Sequence, residues 1–87
     1  MYMLISVFER EIITEQFNTL EEAHEQMMSE LKEEFDKYDF SDYGITWDEI
    51  EKKDSFECDC FGFGVGWAWS NIDEDCNCDW KIVEINQ

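Results

Sequence analysis

Hydrophobic and polar positions along this chain change period twice, and each change marks a new element. Residues 1–8 (Met-Tyr-Met-Leu-Ile-Ser-Val-Phe) and 12–17 (Ile-Ile-Thr-Glu-Gln-Phe) are rich in β-branched and aromatic side chains. They predict two strands joined at Glu9-Arg10-Glu11, a turn that no Gly or Pro marks and whose type stays open. Thr19 followed by Glu22 has capping-box spacing and opens a helix. Leu20, Ala23, Met27, Leu31, Phe35 and Tyr38 then recur at steps of three and four, one apolar stripe on a helix of about five turns. The opposite face carries Glu21, Glu22, Glu25, Glu30, Glu33 and Glu34, with Lys32 and Lys37 near the C-terminal end, where positive charge suits the helix dipole.

Residues 39–55 are less regular. Ser41-Asp42-Tyr43-Gly44 reads as a turn. Thr46 with Glu49 forms a second capping-box spacing for a short helix through Lys53, although Ile45 and Trp47 could also begin a strand. From Phe56 the period becomes two: Phe61, Phe63, Val65, Trp67 and Trp69 alternate with Gly62, Gly64, Gly66 and Ala68. Large groups then share one face, and the smooth face would let a helix or another backbone approach. Either one long strand or a hairpin turning within Phe61–Gly64 fits this run. Residues 79–86 predict a last strand. The expected fold is α+β: a small sheet of about four strands in the order β-β-α-(α)-β-β, packed on one main amphipathic helix.

Charge changes the picture. Twenty-three acidic residues face six basic ones, a net charge of −17 on 87 residues. Self-repulsion at this density opposes a compact state. Yet 44% of the residues are hydrophobic and 16% aromatic, which excludes a disordered acidic tail. The length supports a single domain, 1–87. The apolar start has no basic leader or small-residue cleavage site and is too short to span a bilayer. A cytoplasmic, reducing location is therefore expected.

In that compartment, Cys58-Asp59-Cys60 and Cys76-Asn77-Cys78 suggest metal rather than disulfides. Residues i and i+2 of an extended segment share a face, so each C-x-C can offer two thiolates to a structural, tetrahedral Zn2+ staple. One objection is geometric. If 61–70 were a single strand pairing with 79–86, the two pairs would lie roughly 30 Å apart at about 3.3 Å per residue. Zinc therefore needs a bend near Gly62–Gly66. Free buried thiols and disulfides remain the other readings. Asp73, Asp75, Asn77, Asp79 and Glu84 imitate a calcium loop, but Cys78 replaces its glycine and the flanks are strands.

No catalytic constellation appears. His24, the one histidine, has no motif-defined nucleophile and reads as structural. Gly62-Phe63-Gly64-Val65-Gly66 lacks the lysine and following helix of a phosphate cradle. An enzyme is not expected. The aromatics Phe61, Phe63, Trp67, Trp69 and Trp80 could stack bases, but without a basic groove they read as core. A solvated surface does not explain seventeen excess negative charges. Carboxylates spaced along a helix and along strand edges imitate a nucleic-acid backbone and compete for the same lysines and arginines.

A very short, acidic, aromatic-rich domain with no catalytic constellation resembles the anti-CRISPR proteins of phages and other mobile elements. It is most similar to the small acidic inhibitors of the type II CRISPR effector nuclease, including zinc-containing ones. The residues behind the resemblance are the glutamate face of helix 20–38, the acidic 73–79 loop and the four cysteines. The resemblance implies a stoichiometric blocker in the host bacterial cytoplasm, with no direct nucleic-acid or membrane contact and a monomer as the expected state. It would bind basic surfaces that read the PAM or hold the guide–target heteroduplex, and so block DNA loading or cleavage. The implied contact charges are Glu21, Glu25, Glu30, Glu33, Glu34 and Asp36, or Asp73, Glu74, Asp75 and Asp79. Zn2+ on Cys58, Cys60, Cys76 and Cys78 would hold the sheet in shape. The alternative is an acidic interaction module, an antitoxin or DNA mimic, that binds another basic nucleic-acid-binding protein.

Overall fold

The computed structural model describes residues 1–73 and 76–86. Strands β1 (Tyr2–Phe8) and β2 (Glu11–Phe17) form an antiparallel hairpin with unbroken register from Tyr2↔Phe17 to Phe8↔Glu11. The turn is therefore two residues, Glu9-Arg10. Glu9 takes φ 56°, the left-handed conformation that the first position of a primed hairpin turn requires. A non-glycine residue is strained there, and its N–H is held by the Asn77 carbonyl at 3.2 Å.

Helix α1 (Leu20–Phe35) starts as predicted, with Thr19 Oγ1 accepting the Glu22 N–H at 3.2 Å. It stops short of Tyr38, because the chain tightens into i→i+3 bonds from Lys37 and Tyr38 to Glu34 and Phe35. A 3₁₀ turn (Ser41–Tyr43) ends on left-handed Gly44, and a single-turn helix α2 (Trp47–Ile50) follows.

The C-terminal half departs furthest from expectation. It forms β3 (Phe56–Glu57), β4 (Phe61–Phe63), β5 (Trp67–Asp73) and β6 (Cys76–Glu84). The result is one antiparallel sheet of six strands, in the order β2-β1-β6-β5-β4-β3, rather than about four. The period-two run is a hairpin reversing at 64–66. Gly64 donates its N–H to Trp67 at 2.8 Å, and the Gly66 carbonyl accepts from Ile82 at 2.9 Å.

The glycines also serve a different purpose from the smooth helix-facing surface expected of them. Gly62 pairs with Trp69, whose indole lies so close that a Cβ on Gly62 would sit 2.8 Å from its Nε1. The Trp67 indole covers Gly64 in the same way. Trp69 Nε1 further donates to Glu57 Oε2 at 3.1 Å. Two tryptophans thus lie flat on the sheet face that carries no helix.

α1 covers the other face, where Leu4, Ser6, Phe61, Phe63, Ala68, Ser70, Cys78 and Trp80 are buried. An aromatic cluster closes the end of this layer beside α2. Phe35 stacks on Phe40 at 4.7 Å and meets Phe61 edge-on at 5.7 Å, and Phe61 also contacts Phe40 and Phe56, each at 5.5 Å. Among the described residues, no helix is long and apolar enough to cross a membrane.

The zinc staple is corrected together with the strand count. The reversal at 64–66 brings both C-x-C pairs to the same end of the sheet, which removes the 30 Å objection. However, Phe61, Ser70 and Cys78 stand in register across β4, β5 and β6, so β5 runs between the two pairs. Their backbones are thus set two strand spacings apart, about 10 Å.

Candidate functional site

The acidic surface is built on α1, where one solvent-facing i, i+4 row carries Glu21, Glu25, Ser29 and Glu33, all exposed, with carboxylates at every position but Ser29. Glu22 and Asp36 are exposed beside it. Four residues rise about 6 Å along a helix, close to the axial rise of two phosphates on one DNA strand at about 3.4 Å each. The basic residue on this face, Lys32, is held by Asp36 at 2.9 Å, and that bond raises its pKa. Asp48 and Glu51 add to the rise, which places them against the same helix face. A shallow groove of about 350 Å³ between α1 and α2 is lined by Glu25, Met28, Lys32, Trp47 and Glu51. Asp48 and Glu51 are contributors that the sequence reading missed. Their signal was the capping-box segment itself, which packs α2 beside α1 and extends the carboxylate surface.

Of the residues predicted to make contacts, Glu34 is buried and Glu30 is half-buried. Glu30 turns under the sheet, where its Oε1 accepts from Ser6 Oγ at 3.0 Å and Trp80 Nε1 at 3.2 Å, and its Oε2 from Gln26 at 3.0 Å. Glu34 is only 7% exposed. It accepts from Lys37 at 2.8 Å and from the Cys78 thiol at 3.6 Å. Asp73 lies 3.5 Å from the same Lys37. Asp79 is exposed, paired in register with Val7 and Trp69 on the uncovered sheet face, so it does not share a surface with α1. Glu74 and Asp75 lie outside the described residues.

The cysteines separate by environment. Cys58 and Cys60 line a groove with Phe40, Tyr43 and Ile45. Cys76 and Cys78 sit 3.7 Å apart, sulfur to sulfur, against Glu34. Among the described residues, no three His, Cys, Asp or Glu side chains converge as metal ligands. Burial, then the Cys76 hydrogen bond and the Glu34 charge, push the Cys78 thiol well above its ordinary 9.0.

The protonated form is thus favoured in the fold. This contribution is complete below the ordinary thiol value and fades as pH rises above it. Wild type should therefore lose stability more steeply than Cys78→Ala between about pH 8 and pH 11, measured by urea unfolding at each pH. Parallel curves would remove the thiol from the alkaline response.

His24 Nδ1 donates to the Val65 carbonyl at 3.0 Å and ties the 64–66 reversal to α1. Set beside family models, curated proteins and solved structures, the chain matches none of them.

Proposed function

We propose that this chain is a stoichiometric inhibitor that offers the outer face of α1, extended by Asp48 and Glu51, to a basic nucleic-acid-holding surface of another protein. The type II CRISPR effector nuclease is the partner that the resemblance favours. The observation that carries the reading is the ridge Glu21, Glu25 and Glu33, which forms no ion pair among the described residues, on a face whose Lys32 is already held by Asp36. Carboxylates without intramolecular cations keep their full attraction for a basic partner and steer fast association. Glu30 and Glu34 are withdrawn from the contact set, since their oxygens are engaged inside.

The test titrates the protein into guide-loaded effector and follows target-DNA binding and cleavage. Loss of both near one-to-one stoichiometry is expected. Reversing Glu21, Glu25 and Glu33 to lysine should raise the half-inhibitory concentration about a hundredfold with the fold intact by circular dichroism. Undiminished potency would remove the α1 face. Full nuclease activity at large excess would leave the same surface for another basic nucleic-acid-binding protein, as an antitoxin or DNA mimic.

A further inference from the structure

The two edges of the sheet differ sharply. β3 is two residues long, whereas β2 is seven and has no Pro, no Lys and no register shift, so that Glu11 and Glu15 alone guard this edge. Its Ile12 and Ile13 are 69% and 47% exposed, on opposite faces. α1 lies mainly over β5 and β1 and touches β2 no less than β6, yet every β2 residue from Glu11 to Gln16 is exposed.

Hydrogen bonds at both ends of β1 determine which of the β2 backbone groups are free. Glu9 donates to Asn77 and Ile85 donates to Met1, so the odd residues of β1 bond toward β6. Alternation then turns the even ones toward β2, where their partners are Glu11, Ile13, Glu15 and Phe17. The N–H and C=O groups of Ile12, Thr14 and Gln16 therefore point away from the sheet.

We propose that β2 pairs with β2 of a second copy of this chain, antiparallel about a two-fold axis at Thr14. Only outward-pointing residues can exchange hydrogen bonds, which restricts the registers. Centring on Ile13 sets Glu11 against Glu15, and centring on Glu15 sets that residue against itself. Centring on Ile12 or Gln16 shortens the overlap. Centring on Thr14 pairs all seven residues: Ile12 with Gln16 and Thr14 with Thr14 in hydrogen-bonded pairs, and Ile13 with Glu15 and Glu11 with Phe17 in the closer, non-bonded pairs. No glutamate then faces another across the strands.

The product is a continuous sheet with both helices on one side. The two helices are separated by the width of β1, β2 and their copies, about 14 Å, which exceeds a Debye length of about 8 Å at physiological salt.

The proposal does not rest on the inhibitor reading, and its test uses the protein alone. Sedimentation across a micromolar concentration series should show mass rising from 10.5 kDa to twice that value. Dimerisation should tighten about fivefold as salt rises, whereas binding to a basic partner weakens with salt. Thr14→Pro removes an outward N–H that β1 does not use, so it should weaken dimerisation about tenfold or more with an unchanged monomer circular dichroism spectrum. Ile13→Lys should tighten the dimer about fivefold and Ile13→Glu should loosen it. Ser29→Lys, which adds the same charge on exposed α1, serves as the control and should leave affinity nearly unchanged. A monomer at every concentration and salt overturns the proposal. So does a dimer indifferent to Thr14→Pro, or one that Ser29→Lys tightens as much as Ile13→Lys.

Discussion

Phe61→Ala should lower the unfolding free energy by about 4 kcal/mol, the largest single loss expected in this protein. Phe61 is 0% exposed and lies between Phe35, Phe40 and Phe56, with three ring contacts within 5.7 Å. Truncation removes the transfer energy of the ring and leaves a cavity that β4, only three residues long, is poorly placed to close. It also removes the ring that joins α1, the segment before the 3₁₀ turn and the β3–β4 hairpin, so edge-to-face attraction is lost at several interfaces together. Domains of this size have total stabilities of about 5–10 kcal/mol. Urea unfolding should therefore give a midpoint near half that of wild type. A loss below about 1 kcal/mol would mean that the cluster is not the core of this end.

Glu30→Ala should cost about 3 kcal/mol, and Glu30→Gln about 1. The alanine variant strands the Ser6 hydroxyl and the Trp80 indole N–H, on residues that are both buried beneath α1. Each buried unpaired donor costs about 1–3 kcal/mol. Glutamine keeps an oxygen for both, and the Gln26 amide can turn to offer its own oxygen to the new NH₂. If Glu30 instead served as a surface contact, both substitutions would leave thermal stability unchanged and lower partner affinity alike. The ordering of these variants in thermal denaturation therefore separates an interior carboxylate from an exposed one.

The helix and first hairpin were legible because their signals are local: a cap at Thr19, an apolar stripe at steps of three and four, and two β-rich runs. Glu30 and Glu34 were misassigned for a physical reason. Ala23, Met27, residue 30 and residue 34 follow one another at steps of four, three and four, which is itself a core stripe. Polarity alone moved the last two to the surface. The inward turn of Glu30 and the burial of Glu34 depend on Ser6, Trp80 and Cys78 supplying donors from distant segments, and periodicity carries no record of that. The strand count failed at Gly64–Gly66, where alternation continues through a reversal; the cause, Trp67 lying on Gly64, is a contact between residues on either side of the turn.

β6 (Cys76–Glu84) is central in space although it is the last strand in chain order, bonded to β1 on one side and β5 on the other. During synthesis the N-terminal hairpin can form early, but its apolar face has no partner strand until residue 84 has left the ribosome. The sheet therefore closes after translation of this region rather than during it. A nascent chain stalled before residue 76 would present two unjoined hairpins and an uncovered helix, the form of this protein most exposed to chaperones and proteases.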